Sequence, residues 1–526
     1  MLQGIGRRAE TLLQGKLFPG EGRAQIPRHF LAALTGALLA GLLAQGMGLF
    51  NKFSWHDDIF SLFMTGTTIR LGRWMLYVLV EAEKWFYGNG HFSLPLVNGM
   101  ISLLCIGLSA GLLAVHFNIR SRALSGLLGA AMAVFPVVTA LFSFMFTIHY
   151  YMVALLMMTA GGLLICADRP WWKKAAGVLL CGCSVGVYQA FLPNLLTLIL
   201  LDLIMTLIRR EEKNSFYLRK ILIQGLCIAA VMGVYLAGNQ YFLTTRNLQL
   251  DSYLGISEMG NEGLERYLAG VGRAYGEFFR PSHFSMWDMY PQAVFNLYRL
   301  MLLLDAALGI LWIVRLWRKS PARALLLAAG LGLIPLGCNF IFVMSSEVHS
   351  LMVYGQVMQT ALLVGLTEWT GISRPAWKRL LSGTAAALLA LSCVMYVRYD
   401  NQCYMKTSFQ QQEAISWNTT LVTRIESAEG FRDELPVAFV HREKMEDRNL
   451  YILEELEFLK LATYDADLQA YLNDWAWEAF LARWCGFSPK TVKPETVEDW
   501  PEVQTMPRYP DDGSVRVIRD VVVVNF

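Results

Sequence analysis

The amino-acid sequence predicts a polytopic α-helical membrane protein with about 11 transmembrane helices and a small C-terminal α/β domain. Of its 526 residues, 55% are hydrophobic and only 17% are charged, whereas roughly 25% of residues are charged in soluble domains. Long apolar segments recur along the chain, and each has about the 20 residues that a helix needs to cross a bilayer. After Arg398 the composition becomes polar and mixed.

The apolar segments define the candidate spans. They cover approximately residues 29–50, 94–117, 123–143, 147–167, 174–190, 192–208, 221–243, 292–314, 323–344, 350–368 and 380–397. The fifth and sixth are short and meet beside Pro193 and Asn194. This division predicts a transmembrane domain over residues 1–397 and a soluble domain over residues 398–526.

Basic residues are concentrated in alternate connections between the spans. They lie at Arg120–Arg122, Arg169–Lys174, Arg209–Lys220, Arg315–Arg323 and Arg374–Arg379. The connections near 144–147, 188–194 and 345–349 carry neither lysine nor arginine. Because basic residues favour the cytoplasmic side, this pattern predicts a cytoplasmic N-terminus and an outer C-terminal domain.

Two long outer loops and the polar tail remain outside the spans. The loops are 51–93 and 244–291, and in the second we expect an amphipathic interfacial helix over Glu265–Phe279. In the tail, the pattern predicts helices over Gln410–Glu429 and Leu450–Cys485, a strand over Pro436–His441, and a strand pair over Ser514–Phe526 after the Asp512-Gly513 turn signal. Cys403 and Cys485 flank this tail and could pair if it is exported.

The first outer loop combines two carboxylates, Asp57 and Asp58, with two arginines, Arg70 and Arg73. A structural interpretation of Asp57 is a capping box, in which Ser54 is the N-cap of a helix. The arginines are three residues apart, so on a helix they would share one face, and guanidinium groups suit a phosphate. Carboxylates beside phosphate-binding cations at a membrane surface predict chemistry on a lipid phosphate.

Other polar residues near the outer surface are candidate substrate ligands. They are His56, Tyr188, Gln189, Asn239, Gln240, His283 and His349. Each would bind a sugar or hydrogen-bond its neighbours, and both interpretations stay open. His349, which follows Glu347, is the histidine that we would test first. No histidine has a partner at metal-motif spacing, so the sequence indicates no metal site.

Several classes of function are excluded by composition and motif content. The net charge of +3, with the basic residues placed between spans, predicts no nucleic-acid partner. The chain has no Walker pattern and no Rossmann fingerprint. An activated sugar donor would therefore have to arrive in the lipid.

Four stretches, in this order, resemble the bacterial type II serotype-converting glucosyltransferases, which modify O-antigen and belong to the GT-C superfamily of polyprenyl-phosphate-sugar-dependent enzymes. They are His56-Asp57-Asp58, Gly72-Arg73-Trp74, Tyr188-Gln189-Ala190 and Met506–Ser514. The resemblance covers essentially the whole chain. It implies a GT-C-like fold in the bacterial cytoplasmic membrane and transfer of glucose from a polyprenyl-phosphate donor to a cell-surface glycan acceptor.

The resemblance also implies roles for residues of the first outer loop. An acidic residue there would be the general base, which is Asp57 or Asp58 in this sequence, and Arg70 and Arg73 would contact the donor phosphate. Some related enzymes use a divalent metal, but no ligand set is evident here, so no cofactor is predicted. We assign Asp58 as the base, because a capping Asp57 would be a poorer proton acceptor. The reverse assignment stays open.

Two alternatives to this function remain. A lipid-linked glycan flippase or transporter would explain many spans with buried polar residues. A glycan polymerase or ligase would instead use a diphosphate-linked donor.

Overall fold

The computed structural model describes residues 26–53, 56–60, 68–88, 93–168, 170–251, 263–279, 292–443 and 476–526. Within these ranges the chain forms a helical bundle followed by a small mixed sheet. The side chains of His56 and Phe60 also lie outside the description. The predicted capping residue Ser54 falls outside these ranges, as do His283 and residues 450–475 of the predicted tail helix.

The bundle is built from helices that follow the predicted spans. In chain order they are α1 (Arg28–Phe50), α2 (Trp74–Tyr87), α3 (Pro95–His116), α4 (Arg122–Val134), α5 (Val137–Phe142), α6 (Ile148–Cys166), α7 (Trp171–Val187), α8 (Leu192–Arg209), α9 (Asn214–Arg246), α10 (Leu264–Phe279), α11 (Gln292–Trp317), α12 (Pro321–Cys338), α13 (Ile341–Met344), α14 (Met358–Glu368) and α15 (Pro375–Glu426). Helix α10 confirms the amphipathic helix predicted in the second outer loop.

Eight helices in the described ranges are long and apolar enough to cross a membrane. Three other predicted spans correspond to shorter helices, namely α4 with α5, α7 and α14. The third span is divided because Pro136, which has no backbone N–H, separates α4 from α5. The chain is therefore a multi-pass membrane protein, and the total of eleven spans stays a prediction.

Small residues allow the first helices to pack closely. A Cβ atom on Gly36 would lie 2.0 Å from the Gly126 carbonyl oxygen, and one on Gly129 would lie 1.9 Å from the Ala33 carbonyl oxygen. Helices α1 and α4 thus approach through their backbones, as small-residue interfaces permit in membrane proteins. This close approach holds the first half of α1 against α4.

The bundle has two chemically different ends. At one, which we call the basic end, His116, Asp202, Lys220, Arg315 and Glu368 lie in or beside the basic connections. At the other, which we call the site end, lie Lys52, Asp58, Arg73, Phe146 and Tyr188. The motifs singled out in the sequence therefore lie at the end of the bundle opposite the basic connections.

Helix α15 joins the bundle to the C-terminal sheet without a break. It has 52 residues, which corresponds to about 78 Å at 1.5 Å per residue, whereas a bilayer core is about 30 Å thick. The composition change at Arg398 falls inside this helix. Its projecting part contacts the end of α1, because Tyr404 donates to Gln45 at 2.6 Å and Gln411 donates to the Lys52 carbonyl at 3.3 Å.

The C-terminal unit is a four-stranded mixed sheet with short helices. Its strands are β1 (Val437–Val440), β2 (Thr491–Val492), β3 (Val515–Ile518) and β4 (Val521–Asn525), in the order β2-β1-β4-β3. Strand β1 is parallel to β2 and β4, and β3 and β4 form an antiparallel hairpin. Two helices, α16 (Trp477–Trp484) and α17 (Pro501–Gln504), complete the unit.

The predicted strand and strand pair are confirmed, and the pair follows a turn at Asp512-Gly513 as predicted. The two strands of the pair are joined by a hairpin turn at Arg519-Asp520, where both residues have positive φ. The predicted helix over Gln410–Glu429 is the last part of α15. Cys403 and Cys485 are both free thiols, so no disulfide joins them in this structure.

Candidate active site

The Asp57-Asp58 pair lies in a short 3-10 helix, His56–Phe60, at the site end. The Asp58 side chain is 0% exposed and forms an ion pair with Lys52 through Oδ2. Its Oδ1 accepts a hydrogen bond from the Phe146 backbone N–H at 3.2 Å. Lys52 also donates to Ser93 Oγ at 3.2 Å. Asp58 therefore ties the first outer loop to the connection that precedes α6.

Burial and the neighbouring charge shift the pKa of the Asp58 carboxyl in opposite directions. Desolvation raises the pKa of the Asp58 carboxyl, while the Lys52 ammonium and the hydrogen bonds from Ser93 and Phe146 oppose this rise. Asp57, its neighbour, is only partly buried. Of the two adjacent aspartates, Asp58 is therefore the one that is enclosed by protein.

The residue after Asp58, Ile59, is buried in a different environment. Ile59 is fully buried in the core of the C-terminal unit, where the cluster includes Val422, Trp477 and Phe526. The 3-10 helix is thus held on one side by the Asp58 ion pair and on another by apolar packing. The C-terminal unit packs directly against the loop that carries the two aspartates.

The Gly72-Arg73-Trp74 and Tyr188-Gln189 motifs meet in space. Gln189 Nε2 donates to the Leu71 carbonyl at 2.9 Å and to the Tyr235 hydroxyl at 3.3 Å. Gly72 has φ +70°, and a Cβ atom there would lie 2.6 Å from the Tyr235 hydroxyl oxygen. A glycine is required at this position by both the backbone conformation and the space.

Arg73 is held by two tyrosines. Its guanidinium donates to the Tyr151 hydroxyl at 3.1 Å and lies 5.5 Å from the centre of the Tyr188 ring. The Tyr151 and Tyr188 rings are stacked, with centroids 4.4 Å apart. Cation–π and hydrogen-bond contacts of this kind fix the direction of a guanidinium group without neutralising it.

Arg70 does not share a helix face with Arg73, so that expectation is wrong. Residues 68–72 form a turn, and Arg73 is the N-cap of α2 rather than part of a helix with Arg70. Arg70 is exposed, and its carbonyl accepts from the Asp251 N–H at 2.9 Å. The turn arises because Gly72 adopts positive φ, which ends the regular spacing between the two arginines.

The other candidate ligands have different surroundings. Tyr188 is buried and its hydroxyl reaches the Leu351 carbonyl at 3.5 Å, close to His349. Burial lowers the pKa of His349, and Glu347 opposes this shift.

Asn239 is buried within α9, whereas the exposed Gln240 donates to Thr244 of its own helix at 3.1 Å. Gln240 is therefore directed away from the bundle interior.

Sequence reasoning missed the residues that connect these motifs. Phe146, Tyr151 and Tyr235 each bond a motif residue from a distant part of the chain, and Lys52 pairs with Asp58 of the same loop. One signal was available, because Lys52 is the only lysine or arginine between Arg28 and Arg70. The described residues contain no group of three or more histidine, cysteine or acidic side chains that could hold a metal ion.

The described residues thus form a multi-pass helical bundle with two adjacent acids and an oriented arginine at one end. The sequence model of the family described as Glucosyl transferase GtrII matches residues 46–360, which is more than half of the chain. The protein belongs to this family, and the resemblance to type II glucosyltransferases is confirmed. Neither a curated protein nor a solved structure matches the chain.

Proposed function

We propose that the protein transfers a hexose, glucose in the first instance, from a polyprenyl-phosphate carrier to a hydroxyl group of a cell-surface glycan. The site end would face the outer side of the bacterial cytoplasmic membrane, because the opposite end carries the basic connections that favour the cytoplasm. The observation that carries the proposal is the meeting of three separate motifs at the start of α6. Phe146 bonds Asp58 there, and Tyr151 bonds Arg73, which lies beside Tyr188.

The reaction needs two kinds of group. A base removes the proton of the acceptor hydroxyl as its oxygen attacks the anomeric carbon, and the bond from that carbon to the phosphate oxygen breaks on the opposite face, with inversion. The leaving polyprenyl phosphate is already an anion, so it needs cationic stabilisation rather than a proton. One accessible carboxylate and one oriented guanidinium meet this requirement.

Asp57 is the better candidate for the base in this geometry. Asp58 is fully buried with Lys52 as its ion-pair partner, so an acceptor hydroxyl could reach it only by breaking that pair. Asp57 is adjacent and partly exposed. We assign Asp57 as the base and Asp58 as the residue that positions the 3-10 helix, which reverses the assignment made from sequence.

Arg73 would bind the donor phosphate. Its guanidinium is already oriented by Tyr151 and Tyr188, so little side-chain freedom is lost on binding, and a fork of N–H donors matches phosphate oxygens. Arg70, which is exposed on the adjoining turn, would add a more solvated contact to the same phosphate. The polyprenyl chain would remain in the bilayer beside the bundle.

A transfer assay over several donors tests the proposal. Purified full-length protein in liposomes would be given labelled polyprenyl-phosphate glucose, mannose or galactose, or a diphosphate-linked hexose, together with lipopolysaccharide as acceptor. We expect glycan labelling from a monophosphate donor, with glucose best. Labelling only from the diphosphate donor would indicate a polymerase or ligase. Movement of donor across the bilayer without a glycosidic product would indicate a flippase, and either result would overturn the proposal.

A further inference from the structure

A second polar cluster lies beside the candidate site and has no role in the reaction described above. Glu83 of α2 accepts a hydrogen bond from the Tyr150 hydroxyl through Oε2, and the same oxygen lies 3.2 Å from His149 Nε2. His149 and Tyr150 directly precede Tyr151, the hydrogen-bond partner of Arg73. The first turn of α6 therefore carries the partners of both Glu83 and Arg73.

The members of the cluster differ in burial. His149 and Tyr150 are buried, whereas the Glu83 side chain is 30% exposed. His149 Nδ1 is also buried and forms no hydrogen bond within the described residues. Among those residues, the contact between His149 Nε2 and Glu83 therefore orients the ring. Tyr150 and His149 contact one oxygen of the Glu83 carboxylate, and 30% of the Glu83 side chain is exposed.

Hydrogen bonds to Oε2 also determine what chemistry Glu83 can perform. Donors that bind a carboxylate favour its charged form, which makes it a poor proton acceptor but a strong hydrogen-bond acceptor. A carboxylate that is held in this way on a partly exposed side chain is suited to accept hydrogen bonds from sugar hydroxyl groups. Because its orientation is set before the ligand arrives, less conformational freedom is lost on binding.

We propose that Glu83 binds one hydroxyl group, or two adjacent ones, of a hexose at this site, with His149 and Tyr150 as positioning residues. This inference rests on the proposed glycosyl transfer and adds a specificity-determining residue to it. The hydroxyls could belong to the transferred sugar or to the acceptor. The chemistry is the same in both cases, and the experiment below distinguishes them.

The test compares hexose substrates with analogues that lack single hydroxyl groups. We would measure kcat/KM of the full-length protein for polyprenyl-phosphate glucose and its monodeoxy forms, and then for methyl hexoside acceptors and their monodeoxy forms. For the unaltered protein, we expect one analogue in one series to react about 10- to 100-fold more slowly, as for loss of a charge-assisted hydrogen bond. The affected series identifies the sugar that Glu83 binds.

The variants then assign this discrimination to the cluster. In Glu83→Ala, the parent substrate should lose the same factor, and the protein should no longer distinguish it from the deoxy analogue. His149→Phe and Tyr150→Phe should each reduce the discrimination in part. Glu81→Gln is the matched control, because Glu81 lies on the same helix and contacts Lys84 at 3.8 Å instead, and it should leave the discrimination unchanged.

The possible outcomes separate the inference about Glu83 from the proposed transfer reaction. Unchanged discrimination in Glu83→Ala would overturn the inference while leaving the transfer reaction intact. If Glu83→Ala does not fold, the isosteric Glu83→Gln provides the test, and it should retain turnover with reduced discrimination. A large fall in kcat for every substrate with unchanged discrimination in Glu83→Gln would indicate that Glu83 acts as a base, and would overturn the inference. Absence of any transfer by the unaltered protein would overturn the proposed function as well.

Discussion

Asp58 at the site end and Asp202 at the basic end are both buried carboxylates paired with lysine, but their surroundings differ. Asp202 lies on α8, and its oxygens contact His116 and Lys220, each at 2.8 Å, and Gln224 at 3.0 Å. These partners belong to regular helices that converge at one end of the bundle. Asp58 instead lies in a 3-10 helix, and its partners come from irregular connections.

The difference teaches that a buried ion pair does not by itself mark a functional site. At the basic end the carboxylate is enclosed by side chains that join α3, α8 and α9. At the site end the enclosed pair holds in place the 3-10 helix that also carries Asp57, a partly exposed acid. We propose a catalytic role for the partly exposed Asp57, whereas the buried Asp58–Lys52 pair holds the 3-10 helix that carries it.

The largest expected effect is a loss of turnover when an aspartate is replaced by asparagine, and it separates a catalytic acid from a structural one. Asp57→Asn should lower kcat by about 10²- to 10⁴-fold, the usual contribution of a general base, while the folded protein is still recovered. Asp202→Asn, the control at the basic end, should leave kcat close to normal and reduce thermal stability. Turnover with labelled donor and size-exclusion profiles in detergent would measure both. An active Asp57→Asn with an inactive, folded Asp58→Asn would restore Asp58 as the base.

The next prediction compares the stability of variants of the two lysines that pair with Asp58 and Asp202. Lys52→Met should destabilise the protein by up to about 3–5 kcal/mol, because it leaves the buried Asp58 without its counter-ion. Lys220→Met should cost less, since Asp202 keeps His116 and Gln224. Adding Asp58→Asn to Lys52→Met should recover most of the loss, because an amide needs no counter-charge. Unfolding of Lys52→Met at the wild-type temperature in a thermal melt would contradict this account.

The smallest effect concerns the orientation of Arg73. Tyr151→Phe removes one hydrogen bond to the guanidinium, so the donor KM should rise about 2- to 10-fold, corresponding to about 0.5–1.5 kcal/mol. Tyr217→Phe is the matched control, since the Tyr217 hydroxyl bonds the Arg210 carbonyl at the basic end, and its KM should not change. An unaltered KM in Tyr151→Phe would show that Tyr151 does not orient a phosphate ligand.

Much of the fold follows from local properties of the sequence. Apolar segments of sufficient length predicted the helices of the bundle, because a bilayer requires internally hydrogen-bonded segments. The alternating residues around Val515–Ile518 and the run of four valines that begins at Val521 predicted the C-terminal hairpin. The continuity of α15 was missed, because the change from apolar to polar residues at Arg398 alters the solvent around a helix and leaves its hydrogen bonding unchanged.

The sequence by itself also determined which motifs form the candidate site, since the order of His56-Asp57-Asp58, Gly72-Arg73-Trp74 and Tyr188-Gln189 indicated the family. Only the tertiary structure decided which aspartate is enclosed and which is accessible. That distinction depends on Lys52, Phe146 and Ile59, whose partners lie on separate elements. Burial of a side chain is a property of the assembled surfaces around it, so two adjacent identical residues cannot be told apart until those surfaces are brought together.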